Sequence, residues 1–172
     1  VALIHTGLTP EVLETTIGHV REGENAAGRQ LGAVKIWAFA YGRVANTREE
    51  ALEPIKGGLA ASANHAFRFT LDGKHVPDRL REPIHFLRRQ YNNTEHGDRR
   101  TRTASLPDEL GLTDFLAERF SVAGTPEECR QKIRMLESHG ISGLSFAMRF
   151  DDGETDMLAL RRIAEEVVAP LR

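Results

Sequence analysis

One cysteine, no apolar run of membrane length and no surplus of either charge are what this sequence most plainly lacks. With Cys129 alone, an intrachain disulfide and a cysteine-based zinc cluster are both excluded, and a reducing compartment fits. No stretch approaches the ~20 apolar residues needed to span a bilayer. No signal peptide opens the chain, so the expected location is the cytoplasm. The formal net charge of −2 supplies no general field for nucleic acid or an anionic membrane. Basic residues do cluster at Arg79/Arg81, Arg88/Arg89 and Arg99/Arg100/Arg102, a pattern read as a solvated helix face or loop rather than an anion or nucleic-acid site.

Several chemical signatures are missing as well. No G-x-G-x-x-G follows any strand-like segment, which argues against a dinucleotide-binding turn. No G-x-S-x-G nucleophile turn and no Ser-His-Asp order can be read. Histidines 19, 65, 75, 85, 96 and 139 show no H-x-x-x-H or similar ligand spacing, which argues against zinc. Cys129 falls inside a predicted helix and reads as a small packed apolar residue rather than a nucleophile. The catalytic residues are therefore not identified. A missing acid, base or nucleophile is consistent with an enzyme whose cofactor carries the chemistry.

What is present is a repeated punctuation. The 172 residues, 40% apolar and 28% charged, suit one soluble globular domain spanning 1–172. Val1–Thr6 is a short apolar run ending at Gly7. Thr9, Pro10 and Glu11 then supply an N-cap, a first helical residue and a carboxylate for the positive helix end. Val12, Leu13, Ile17 and Val20 recur at helical spacing until Gly28. Val34–Val44 is apolar on both faces, as expected of a strand buried on both sides. Asn46–Glu50 opens a second helix to about His65. Phe120–Ala123 reads as a third strand, and Gly124-Thr125-Pro126-Glu127-Glu128 repeats the first helix start. That helix ends at Gly140. A fourth strand, Leu144–Phe150, and a last helix to about Leu171 close the series.

Four alternations of strand and helix predict a parallel α/β construction, either an open doubly wound sheet or half of an eight-stranded barrel. The rhythm breaks between the second helix and the third strand. There Asp72-Gly73-Lys74 is a turn, Arg79–Tyr91 is helical with a break near Pro83, and Asn92–Pro107 is polar and turn-rich. Residues 66–107 are read as an insertion. Two readings of it stand open: an active-site lid and a plain surface excursion. The chain opens without Met on a strand already under way, and the expectation is that further sequence precedes it.

The run from Val122 through Gly124-Thr125-Pro126-Glu127-Glu128 to Ile133, with its continuation Glu137–Phe146, resembles the seventh helix region and final strand of luciferase-like monooxygenases. Ile4–Val12 resembles the family's fifth strand and following helix, and Val34–Ala51 its sixth. The resemblance covers nearly all of the chain in the family's order. It implies four βα units forming the C-terminal half of a TIM (β/α)8 barrel, with an insertion before the third strand. It further implies a monooxygenase using FMN and O2, or an oxidoreductase using the deazaflavin coenzyme F420. Strands one to four, with a phosphate-binding Gly-rich turn after the fourth, are absent. A partner supplying that missing half, or a second copy of the chain, is expected, because two sheet edges and the barrel interior are otherwise uncovered. The other reading is a non-catalytic binding or structural subunit on the same barrel.

Chemistry in such barrels gathers at the C-terminal ends of strands. That singles out His5, Thr6 and Gly7 after the first strand, where a glycine permits close backbone approach and the next helix would offer free N–H groups to a phosphate. A plain capped turn is the other reading. Thr6 and Gly7 are taken as cofactor contacts by the resemblance, with Gly124 and Thr125 in the equivalent place on the third strand. Thr125 alone reads as an N-cap. Trp37, Phe39 and Tyr41 share one strand face, and only Tyr41 lies near enough the C-terminal end to reach a ligand. His5, Tyr41 and Arg149 are the candidate pocket residues for a small-molecule substrate. For Arg149 an ion pair with Asp151 or Asp152 is the alternative to an anionic ligand.

Overall fold

The computed structural model describes residues 1–96, 98–148 and 153–171. Four strands form one sheet: β1 (Ala2–Ile4), β2 (Ile36–Val44), β3 (Ser121–Gly124) and β4 (Gly143–Ala147). Every pairing is parallel, as the alternation of strand and helix requires. Helix α1 (Pro10–Ala26) follows β1 and α7 (Pro126–Ser138) follows β3. Between β2 and β3 lie α2 (Arg48–Leu52), α3 (Lys56–Ala66), α4 (Asp78–Gln90), α5 (Arg102–Glu109) and α6 (Thr113–Phe120). Helix α8 (Gly153–Arg162) runs into a wider helical turn, Ile163–Val168.

The strand order is not the consecutive one of a barrel. Ala38 has Ile4 on one side and Leu144 on the other, and Tyr41 lies between Ser121 and Ala147. Strands β1 and β3 therefore share one edge of β2, end to end, and β4 takes the opposite edge. Three-residue β1 and four-residue β3 are each too short to cover nine-residue β2. The free N–H and C=O groups of the second edge are met by β4 instead.

Alternation along β2 divides the core. Ile36, Ala38, Ala40 and Val44 face α1, α7 and the final helical turn, packing with Leu8, Leu13, Val122, Cys129, Leu136, Ile163 and Val167. A second cluster, from Leu52, Leu59, Phe67, Ile84, Leu87, Leu106, Leu116 and Phe120, joins α2–α6 and touches Tyr41. The other face of β2 is less covered than its apolar sequence predicts. Trp37 remains 43% exposed, beside exposed Leu3 of β1.

Local chemistry explains the boundaries, with three corrections. Thr9 stands at the N-cap of α1 but its side chain makes no capping bond. Helix α4 passes through Pro83 without a break, held by buried Leu80, Ile84 and Leu87 on one face. Part of the turn-rich stretch after Asn92 is helical: α5 includes Ser105, Leu106 and Pro107, with Leu106 and Pro107 buried. Where the signal was a true cap it holds. Thr125 Oγ1 accepts from Glu128 N–H, and Thr125 N–H donates to Glu128 Oε2 at 2.7 Å, a reciprocal capping box. The predicted end of the fourth strand, Arg149 and Phe150, and the Asp151-Asp152 pair lie outside the described residues.

Candidate functional site

The end of β1 opens into a cleft of about 380 Å³ between α1, the end of α3 and the loop 67–76. Its lining includes His5, Thr6, Thr15, His65, Lys74 and Arg119. A second depression of about 190 Å³ shares His5 and His65 and is walled by Phe39, Tyr41, Ser62 and His96. The two adjoin through His5 and His65, and the smaller lies against the less covered face of β2. Strand alternation puts Phe39 and Tyr41 on that face, and the turn after Ile4 lays the His5 ring on Phe39 at a centroid distance of 4.4 Å. Phe39 meets Tyr41 edge-on at 5.6 Å.

His96 closes this end from the insertion, with its Nδ1 2.7 Å from the Tyr91 hydroxyl. Burial, followed by the proximity of Tyr41, raises the Tyr91 phenol above its usual range, so it stays protonated, and the His96 tautomer sets which partner donates. His75 has a defined role. Thr15 spends its single hydroxyl proton on the Glu11 carbonyl, so its oxygen must accept from His75 Nε2–H at 2.9 Å. His75 holds the left-handed φ of 52° in a tight loop.

Arg119 organises the cleft and is not legible as a site residue in the sequence. It leaves α6 two residues before β3 and is only 3% exposed. Its Nε donates to Thr6 O at 3.2 Å and its Nη1 to Lys74 O at 2.7 Å, tying the end of β1 to the insertion. Its guanidinium lies 5.0 Å from the Phe67 ring centroid and 5.6 Å from that of Phe120. Burial pulls its pKa down to about 10, and the field of Glu11 opposes that shift. It remains charged at neutral pH. No carboxylate of the described residues pairs with it.

The predicted residues are thus partly gathered. His5, Thr6 and Tyr41 come together around the cleft. Gly7 adjoins it, but the space its missing side chain leaves is filled by protein: a Cβ there would stand 2.8 Å from Arg119 Cγ. Nor does α1 offer the free N–H groups expected of its first turn. Pro10 has none, Glu11 N–H bonds its own carboxylate, and Val12 N–H bonds Thr9 O at 3.1 Å. Gly124 and Thr125 lie apart from this cleft. A Cβ on Gly124 would meet the capping carboxylate of Glu128 at 2.5 Å, so this glycine serves the helix cap. Glu128 borders a separate polar depression with Arg48, Glu118 and Lys132. Arg149 lies outside the described residues. Cys129 is buried, and burial pushes its thiol up to about 12, which removes it as a nucleophile. No helix among the described residues is long and apolar enough to cross a membrane.

Parallel βα units with a cleft at the C-terminal end of a strand define a class of protein whose ligands bind in the strand-end loops. Within that class, the chain belongs to the luciferase-like monooxygenase family, whose model matches residues 1–143. Among solved structures it is similar to the coenzyme F420-dependent tetrahydromethanopterin reductase of Methanopyrus kandleri, with a TM-score of 0.69 and 20% identity. That match covers 96% of this chain and 44% of the other, so the chain spans less than half the length of this structural relative.

Proposed function

We propose that the chain is the C-terminal half of a (β/α)8 oxidoreductase of this family, binding FMN or coenzyme F420 in the cleft beside His5, Thr6 and Tyr41. The observation that carries the reading is the cleft itself, which opens at the C-terminal end of β1 in a chain of this family. The lining fits such a group: His5, Phe39 and Tyr41 offer an aromatic wall, and histidine and threonine side chains offer polar contacts. A bound flavin or deazaflavin would supply the electron or hydride transfer. The protein's part is to bind the ring, orient it and exclude water. Phe39 and Tyr41 would support one side, and His5 would bond polar atoms at its edge. Tyr91 and His96, carried by the insertion, are placed to close over the site, which supports reading residues 66–107 as a lid. The resemblance also nominates Gly7, Gly124 and Thr125 as cofactor contacts. Of these, Gly7 adjoins the cleft through Arg119, whereas Gly124 and Thr125 are engaged in the α7 cap.

The remaining strands of the barrel would come from a covalent or separate partner lying on the face of Leu3 and Trp37. The test is titration of FMN and of coenzyme F420 into the full-length protein, read by absorption and by fluorescence quenching. Binding of one of them, weakened at least tenfold by Tyr41→Ala and His5→Ala, is expected. Failure of both to bind leaves a non-catalytic role.

A further inference from the structure

We propose that the insertion side of the cleft is a binding site for a compact dianion, a phosphate group carried by the substrate. The proposal goes beyond the cofactor reading and rests on Arg68, Lys74 and Arg119, which that reading does not use. Arg68, Lys74 and Arg119 all line the 380 Å³ cleft with four histidines, and no aspartate or glutamate is among its described lining residues. Such one-signed lining is unusual in a chain whose acidic and basic residues nearly balance. Elsewhere on the molecule basic side chains find acids: Arg21 with Glu24, Lys56 with Asp108, Arg81 with Asp72, Arg162 with Glu166. Here, among the described residues, Arg119 donates to carbonyls, and Lys74 Nζ donates to Ala66 O at 2.6 Å. Arg88 gives a hydrogen bond to Arg68 O and has a buried Nε without a partner among the described residues.

The consequence is an uncompensated positive potential in a concave, partly desolvated place. Burial first, then the fields of Arg88, Arg119 and Arg68, pull the Lys74 ammonium below its ordinary range. Glu11, whose field reaches Arg119 and His75, is exposed and lies outside the lining. A dianion would relieve the mutual repulsion, and in low dielectric that attraction is far stronger than in water. Hydrogen-bond donors are at hand in exposed Arg68, in Lys74 and in the hydroxyls of Thr6 and Thr16, which face each other at 2.8 Å.

The experiment is a titration of the full chain with inorganic phosphate at constant ionic strength, followed by amide NMR shifts. The expected result is saturable binding with a Kd of about 1 mM or tighter, with shifts confined to residues 5–19 and 65–75 and to Arg119. Arg68→Gln and Lys74→Gln should each weaken it at least fivefold, and Arg68→Lys should restore it. Arg68 is exposed, so that pair of variants remains folded, which the unchanged far-ultraviolet dichroism checks. Shifts that stay linear or spread over the whole surface overturn the proposal, as does undiminished binding in both Gln variants. Competition by FMN but not by riboflavin would assign the phosphate to the cofactor and overturn the substrate assignment. Phosphate binding without binding of either FMN or coenzyme F420 upholds the site while removing the cofactor reading.

Discussion

Gly7 shows how a single atom can be decided by its surroundings. Its φ of 139° lies where side chains are rarely tolerated, and Arg119 fills the space beside it. Gly7→Ala should therefore cost about 1–3 kcal/mol, visible as a lower urea midpoint without any cofactor present. An unchanged midpoint would mean that Arg119 can move aside. Glu24 makes a second prediction at this scale. Its carboxylate accepts from Val34 N–H at 2.6 Å and Gly32 N–H at 2.9 Å, besides Arg21, and so holds the loop between α1 and β2. The Val34 bond, then that of Gly32, keeps its pKa below the ordinary 4.5. A carboxylate depressed in the folded state stabilises above its unfolded value, and that contribution is lost as pH falls through the folded one. The stability difference between wild type and Glu24→Gln should therefore be constant above pH 4.5 and shrink below it. Urea midpoints measured across that range would expose a flat difference, and a flat difference contradicts the assignment.

At the scale of the element, α8 meets the sheet through a buried ion pair. Arg43, on the same face of β2 as Tyr41, meets Asp156 of α8 at 2.5 Å, and both are largely withdrawn from solvent. Asp156→Ala leaves a buried guanidinium uncompensated and should destabilise by about 3–5 kcal/mol. Protease cleavage within 153–162 should appear before global unfolding in that variant, and resistance equal to wild type would show α8 to be held otherwise. This contact was not legible in the sequence, because Arg43 read only as part of an apolar strand. What could be read was local: strands β1–β4 to within a few residues, the helix start at Asn46–Glu50 and the cap at Thr125, whose chemistry lies within four residues. Helix α3, Lys-Gly-Gly-Leu-Ala-Ala-Ser-Ala-Asn-His-Ala, has small residues on every side and little amphipathic pattern, and α4 and α5 carry internal prolines. Tertiary burial, not propensity, holds these helices. The cleft was half legible. Strand ends pointed to His5, Thr6 and Tyr41, whereas Lys74 and Arg119 meet there only through packing of distant segments.

For the whole molecule, the less covered face of the sheet governs behaviour. Leu3 and Trp37 are neighbours in register on that face, and both stay exposed. Burying such surface would yield roughly 25 cal/mol per Å², so association is expected, with a second copy or with further barrel strands. Trp37 is the chain's one tryptophan, so its fluorescence reports on this face alone. Raising the concentration to tens of micromolar should increase the sedimentation coefficient and shift Trp37 emission to the blue together. A monomer with invariant emission would rule the face out as an interface.

The branched pairing of β2 has a kinetic consequence. Both edges of that strand await segments that emerge much later from synthesis, β3 on one side and β4 on the other. Contacts so distant along the chain must close large loops before they gain anything, and such topologies fold slowly. During translation β2 would wait with open edges, in need of shelter against pairing with neighbouring copies. Arg119 and α6 arrive just ahead of β3. Their docking on Thr6 and Leu8 would deliver that strand to its place and end the exposure of one edge.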